Sequence, residues 1–349
     1  MSATFSATDR RCMRRALDLA AQGLGLTAPN PSVGAVLWKK GRIIGEGFHR
    51  KAGLPHAEVE AVRSAKKKGH SSEGATLYVT LEPCSTVGRT PACTALILRE
   101  KIKRVVVAAR DPNPAHAGRG FVLLRRAGIQ VSSGLFAKES ARLNRAFNRR
   151  ITTGRPWITA KIALSLDGSI APRPEDDRWL TGPAAREVAH ELRRECDAIL
   201  IGGETARRDN PKLTVRLPGL PSNGKIQPLR IVWTRKKNLL KNLHLFTDRF
   251  RDRTRVMSSP SFAALIAALA KEEVTHLLIE GGGHVLAAAF ASGLVDEVAF
   301  FLAPVVLGTS TPAIAPFAGT SSRMKLLMPV YRKIGPDLFC RAFLRTVNN

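Results

Sequence analysis

Short apolar runs of strand length recur along this chain and alternate with segments of helical periodicity, the pattern of an α/β protein with largely parallel sheets. The runs are ATLYVTL (75–81), RVVVAA (104–109), WITAKIA (157–163), AILIGG (198–203), LRIVW (229–233), HLLIE (276–280) and VAFFLAPVVL (298–307). Between them the spacing predicts helices over 8–23, 56–68, from Cys93 onward, and near 183–195, 262–273 and 284–292. A hairpin is expected from Val33 to Phe48, turning at Lys39-Lys40-Gly41. At 349 residues the chain exceeds what one core usually supports. The stretch SARLNRAFNRRITTGRPW reads as a helix running out at Gly154 and Pro156, which sets the expected domains at 1–150 and 151–349.

Charge and cysteine content narrow the setting. The net charge of +27 suits nucleic acid or phosphorylated small molecules equally. Basic residues gather at Lys66-Lys67-Lys68, from Arg142 to Arg155 and from Arg235 to Arg255. They form no single groove interleaved with aromatics, which make up only 6% of the chain, so solvated surface is the simpler reading and no nucleic-acid partner is expected. The first twenty residues are charged throughout, so neither a secretory signal nor a membrane span is expected. Five cysteines, an odd number with Cys12, Cys196 and Cys340 scattered, argue against a disulfide framework and for a cytoplasmic protein.

The remaining cysteines, Cys84 and Cys93, lie close together in LEPCSTVGRTPAC. Upstream, LPHAEVEAVRSAKKKG opens a helix at His56 and Glu58. Side chains of a first turn lean toward the helix N-terminus, so both can reach a site beyond it. Cys84 follows a strand and Cys93 begins the next helix, where the helix dipole favours thiolate. One imidazole and two thiolates suit zinc, and three protein ligands leave a fourth position open, as in catalytic sites. Glu58 is then the proton carrier of a zinc-dependent deaminase, whose signature is H-x-E with P-C-x-x-C; here eight residues rather than two separate the cysteines. The competing reading makes His56 a polar residue at a helix start and the two cysteines small buried apolar groups.

These motifs, with HAEVEA, NPSVGAV and DPNP followed by GRG, resemble the bifunctional riboflavin-biosynthesis deaminase/reductase family. The resemblance implies a cytidine-deaminase-like three-layer α/β/α domain followed by a dihydrofolate-reductase-like α/β domain. It also implies zinc and NADPH as cofactors, a phosphorylated pyrimidine as substrate, and association into homo-oligomers through the reductase domain. Asn30, His49 and Arg89 match positions that lie near the deaminase substrate. The chain departs from the family at Thr86, where relatives usually carry His, and at Ala92, where they carry Pro.

In the second half the resemblance rests on AKIALSLDGSIA, RWLTG, LRRECDAILIGGETARRDNPKLTVR and IEGGGHVLAAAFASGLVDEV. It implies that Ala163, Trp179, Thr205, Asp209, Gly282, Gly283, His284, Val285, Leu286, Ala287 and Ala288 carry the dinucleotide. Asp177, Arg193, Leu213, Arg216 and Glu280 would hold the ribose phosphate. Free N–H groups at a Gly-rich helix start suit phosphates, although a bare glycine cluster is as often only a turn. Lys161, Ser165 and Asp167 read either as part of the site or as a strand end and its turn. RIVWTRKKN lacks the Asp and small hydroxyl residue that relatives place there, leaving the adenosine end of the cofactor without an assigned partner. Two other classes remain open on sequence alone: an editing enzyme acting on a flipped nucleic-acid base, and a deaminase whose second domain only binds ligand.

Overall fold

The computed structural model describes residues 4–86, 91–114, 116–170, 179–217, 227–236, 241–308, 311–315 and 324–344. The chain folds as two compact units, the first ending at Gly154 and the second beginning at Arg155.

In the first unit, α1 (Ala7–Ala21) leads into the hairpin β1 (Gly34–Lys39) and β2 (Arg42–Phe48), followed by α2 (Ala57–Lys67) and β3 (Thr76–Leu81). Then come α3 (Cys93–Arg99), β4 (Arg104–Ala109), α4 (Arg119–Arg126), β5 (Gln130–Ser133), α5 (Ala137–Leu143) and α6 (Arg145–Thr153), which ends at Gly154. The sheet order is β2-β1-β3-β4-β5. It is less parallel than the rhythm of the sequence predicts. The turn at Lys40-Gly41 takes positive φ at both residues, 47° and 83°, the mirror-type turn that joins antiparallel strands, so β1 runs antiparallel to β2 and also to β3.

Alternate residues of the central strands enter different cores. Ala35, Leu37, Leu77, Val79, Val105 and Val107 pack with α2, α3 and α4. Val36, Tyr78, Val106 and Ala108 pack with α1 and α5 on the other face. Burial on both faces is why these strands read as unbroken apolar runs, and it makes the three layers. α2 lies directly on β2 at two glycines: a Cβ at Gly45 would fall 2.2 Å from the Ala61 carbonyl, and one at Gly47 would fall 2.5 Å from the Ala61 nitrogen.

The second unit contains β6 (Trp157–Leu164), α7 (Pro183–Glu195), β7 (Ala198–Gly202), α8 (Gly203–Asp209), β8 (Leu229–Trp233), α9 (His244–Thr247) and β9 (Thr254–Met257). It continues with α10 (Phe262–Lys271), β10 (His276–Ile279), α11 (Gly283–Ala291), β11 (Glu297–Leu302), β12 (Leu327–Ile334) and β13 (Asp337–Phe343). The order β12-β13-β11-β6-β10-β7-β8-β9 is parallel from β11 to β9 and antiparallel in the closing hairpin. Two cores again line opposite faces, with Leu277 and Ile279 on one side and Leu278 on the other. The run expected as a strand to 307 stops at Leu302: the Ala303 amide still reaches the Leu164 carbonyl at 2.8 Å, but Pro304 has no N–H to continue the ladder.

A buried ion pair ties α1 to β4. Asp9 completes a capping box with Ser6, accepts from Arg104 at 2.7 and 3.1 Å, and accepts from the Tyr78 hydroxyl at 2.8 Å. Burial pushes the Asp9 carboxyl up, but Arg104, the Ser6 amide and Tyr78 outweigh it and bring the pKa to about 2. A depressed carboxyl stabilises the fold above its unfolded value near 4 and loses that contribution as pH falls through its folded value. Asp9→Asn is therefore expected to cost about 2 kcal/mol at pH 7 in denaturant unfolding. The gap between wild type and variant should close as pH falls from about 4 to about 2.

Candidate functional site

The metal centre expected from the sequence assembles where two helices start and a strand ends. His56 is the N-cap of α2, Glu58 lies in that helix's first turn, Cys84 follows β3, and Cys93 opens α3. The His56 Nδ1 atom lies 3.3 Å from the Cys93 sulfur and 3.6 Å from the Cys84 sulfur, and all three ligand atoms fall within 4.8 Å of one another. Sulfur and nitrogen on a tetrahedral zinc stand roughly 3.6 Å apart, given bonds of about 2.3 and 2.05 Å, so these donors fit that ion. Three such residues on separate elements would not converge if they were mere packing groups. The Cys93 amide donates to the Cys84 sulfur at 3.3 Å. Donation from the Cys93 thiol, opposed by burial and aided by His56, brings the Cys84 thiol down to about 4.

Glu58 is buried, and burial first, then the charge at Cys84, push its carboxyl above the ordinary range. His49 stands beside this centre, its ring 5.2 Å from that of His56 and nearly perpendicular. Burial, opposed by the Pro55 carbonyl, lowers its pKa. Because the Pro55 carbonyl, 3.1 Å from Nδ1, can only accept, Nδ1 carries the proton and Nε2 accepts from the Asn30 amide nitrogen at 3.1 Å. The Asn30 Oδ1 atom has no hydrogen-bond partner among the described residues. Arg89 lies outside the described residues.

Sequence reasoning missed Glu82, although an acid between a strand and a Pro-Cys pair was a signal. Its buried carboxylate accepts the Asp111, Gly118 and Gly120 amides at 3.2, 2.9 and 3.0 Å. It thereby fixes the DPNP segment, where burial, with charge at Glu82 and Cys84 adding, raises the Asp111 carboxyl.

In the second unit the expected residues gather beyond the carboxyl ends of β6, β7 and β10. Arg193 and Glu280, each expected to hold phosphate, hold one another in a bidentate pair at 2.6 and 2.8 Å, and Arg193 also donates to the Thr214 carbonyl at 3.0 Å. Burial opposes ionisation of Glu280, but Arg193 and then Lys161 bring its pKa to about 2. Burial lowers Lys161, with Glu280 opposing. Leu213 is buried in the core and takes a φ of 49°, rare for a bulky residue. Asp167 accepts from the Ser165 hydroxyl and from the Leu307 and Gly308 amides at 3.1 and 2.9 Å, a turn-closing role.

Arg216 lines a cavity of about 630 Å³ together with Lys212, Thr214, His244, Asp248 and Arg249. Its amide donates to the His190 Nδ1 atom at 3.3 Å. Burial, then Arg193 and Arg216, bring His190 down to about 4, so it is a neutral acceptor that only its place one turn before Arg193 could have marked.

The glycine turn fits a dinucleotide. A Cβ at Gly281 would lie 2.5 Å from the Ile201 Cα, and one at Gly282 would lie 3.1 Å from the Thr205 hydroxyl, so the backbone approaches β7 and α8 as closely as glycine allows. The Gly283 and His284 amides have no acceptor among the described residues and open α11. Val285, Leu286 and Ala287 are buried, so they offer only main-chain atoms. Ala163 packs beside the core, Asp209 is exposed at the end of α8, and the exposed Trp179 ring lies under the Arg186 guanidinium at 4.9 Å. Ala288 is half-buried, and Asp177 lies outside the described residues.

Comparison with known proteins agrees with both domains. The cytidine and deoxycytidylate deaminase zinc-binding region matches residues 6–109, and the RibD C-terminal domain matches 156–339. The riboflavin biosynthesis protein RibD of Aquifex aeolicus is 41% identical over 320 residues, covering 86% of this chain and 88% of that protein. The Escherichia coli protein of the same name is 36% identical, covering 95% and 98%. Acinetobacter baumannii RibD superposes with a TM-score of 0.86 at 35% identity, over 96% of this chain and 98% of that one. A Thermotoga maritima structure described as a diaminohydroxyphosphoribosylaminopyrimidine deaminase/5-amino-6-(5-phosphoribosylamino)uracil reductase gives 0.85 at 33% identity, over 96% and 98%. With its zinc-binding deaminase region and its reductase domain in that order, the chain belongs to the RibD family of bifunctional riboflavin-biosynthesis enzymes.

Proposed function

We propose that the first unit deaminates 2,5-diamino-6-ribosylamino-4(3H)-pyrimidinone 5′-phosphate and that the second reduces the ribosyl group of the product to ribityl with NADPH. The observation that carries this reading is the convergence of one imidazole and two sulfurs beside a buried carboxyl, in a chain whose other half is a RibD reductase domain. Zinc, when bound by His56, Cys84 and Cys93, supplies Lewis acidity and activates water at neutral pH. Glu58 then carries two protons in turn at its carboxylate, the first from the attacking water to the ring nitrogen and the second from the new hydroxyl on the ring carbon to the departing amine, which leaves as ammonia; burial, which favours its protonated form, suits it to hold each proton between uptake and delivery. Asn30, oriented by neutral His49, offers its Oδ1 to a ring N–H. Arg89 completes the substrate side in this reading.

In the reductase unit, Lys161 stands within the field of Glu280 and next to the Arg193 pair, placed to polarise the ribose oxygens. Arg216, with the main chain of Leu213 and with Asp177, serves the phosphate. The Gly282 to Ala288 turn, Thr205, Asp209, Ala163 and Trp179 serve the dinucleotide. We assign the deaminase to 1–150 and the reductase to 151–349, limits that fall within α6, four residues before the first unit ends at Gly154.

We read the protein as cytoplasmic on its free cysteines, two of which must stay reduced to bind metal. We also read it as a homo-oligomer joined through the reductase unit. β12 is the outer strand of the second sheet and exposes Met328, Val330 and Tyr331, an apolar edge that calls for cover.

A coupled assay of ammonia release and NADPH absorbance tests the reading. Glu58→Gln is expected to slow ammonia release by about 100-fold or more while leaving reduction of supplied deaminated product unchanged. Loss of both activities would count against two separate sites. Cys93→Ala should lower zinc from about one ion per chain to a trace by elemental analysis. Val330→Glu combined with Tyr331→Glu should shift the sedimentation coefficient to that of a monomer; an unchanged value would discard the β12 interface.

A further inference from the structure

The stretch from Pro211 to Arg216 belongs to no helix or strand, yet Leu213, Thr214 and Val215 within it are buried. A buried main chain must find partners for its amides and carbonyls. For Lys212 to Arg216 no main-chain group among the described residues supplies one, and side chains do so instead. The two peptide planes that flank Val215 are each held at both ends. In the first, the Thr214 carbonyl accepts from the Arg193 guanidinium at 3.0 Å and the Val215 amide donates to the Gln227 Oε1 atom at 2.8 Å. In the second, the Val215 carbonyl accepts from the Gln227 Nε2 atom at 3.1 Å and the Arg216 amide donates to the His190 Nδ1 atom at 3.3 Å. Gln227, itself buried, thus makes two of the four bonds, the exchange that a residue on a neighbouring antiparallel strand would make. Upstream, buried Arg230 donates to the Lys212 carbonyl at 3.1 Å while paired with Asp248 at 2.6 and 2.9 Å. Leu213 lies between these anchors, and its φ of 49° persists only because the surroundings impose it.

Thr214 and Arg216, on either side of Val215, line the cavity of about 630 Å³, and the Arg216 guanidinium donates to the Thr214 hydroxyl at 2.9 Å. The direction in which Arg216 projects is therefore set by the main chain at Val215. A long, exposed side chain presents its fork of donors in one geometry only when its base is fixed. Gln227 also lines the cavity, but both atoms of its amide are engaged by Val215. Resting on the reading in which Arg216 serves the substrate phosphate, we propose that Gln227 is a positioning residue of the reductase: it holds Val215, thereby aims Arg216, and so sets the affinity for the phosphorylated substrate. It acts through Arg216 and takes no part in hydride transfer.

The test follows NADPH oxidation by full-length protein, with the deaminated 5′-phosphate supplied directly and with the same compound lacking its phosphate. Gln227→Met keeps the side chain's length but removes the amide; it is expected to raise KM for the phosphorylated compound about tenfold and to leave kcat within about twofold. KM for the compound without phosphate should stay within about twofold. Arg216→Gln should raise KM for the phosphorylated compound by about tenfold or more, and adding Gln227→Met to it should bring no further rise, because the two residues act in series. Gln227→Glu, which retains the acceptor and loses the donor, should move KM in the same direction and keeps the test valid if the Met variant fails to fold. An unchanged KM in the Gln227 variants, an equal rise for both compounds, a loss of kcat beyond twofold, or additive effects in the double variant would overturn the proposal while leaving the phosphate reading intact. An unchanged KM in Arg216→Gln would overturn that reading and the proposal with it.

Discussion

A sheet covered by helices on both faces has no face left for chemistry, and this constraint decides where every functional group of the chain can stand. Strands β1, β3 and β4 send alternate residues into two cores, and β6, β7 and β10 do the same in the second unit. Only strand ends and helix starts remain open to a ligand. Cys84 and Asp111 accordingly follow β3 and β4, His56 and Cys93 open α2 and α3, and Glu280 with its glycines follows β10. The catalytic groups are gathered by the ends of elements whose interiors are occupied with packing.

Three buried carboxylates show how differently the same group can be set. Glu58 is surrounded by apolar burial and the charge at Cys84, so protonation is favoured. Glu280 faces Arg193 and Lys161 and remains ionised. Glu82 accepts hydrogen bonds from three main-chain amides. The first can exchange a proton, the second can orient cations, and the third can only hold chain in place.

The metal centre was legible because its chemistry admits few residue types, and H-x-E, P-C and C stand at element boundaries that the apolar periodicity already marks. Most strands were legible for the same reason that they are buried. The closing hairpin was not: β12 is exposed along nearly its whole length and carries Pro329, Arg332 and Lys333, so it shows no apolar alternation, and pairing with β13 alone defines it. β9 is a four-residue strand inside a run of arginines, equally without pattern. VAFFLAPVVL looked longer than it is because composition does not register the missing amide of Pro304. Arg193 and Glu280 were found as site residues, but their mutual pairing depends on α7 and β10 meeting, which no spacing in the chain encodes.

The hold of Glu82 on the segment from Asp111 to Gly120 involves main-chain amides only. Those donors belong to every residue except proline, so Glu82 itself asks nothing of the side chains between them; the demands come instead from the backbone path, which needs Gly118 at a φ of 82° and Gly120 where a Cβ would fall 2.5 Å from the Pro83 carbonyl. Asn113 and His116 take no part in the contacts of Glu82. A single acid at a strand end thus separates the course of a loop from its recognition surface, leaving the latter free to drift toward new ligands.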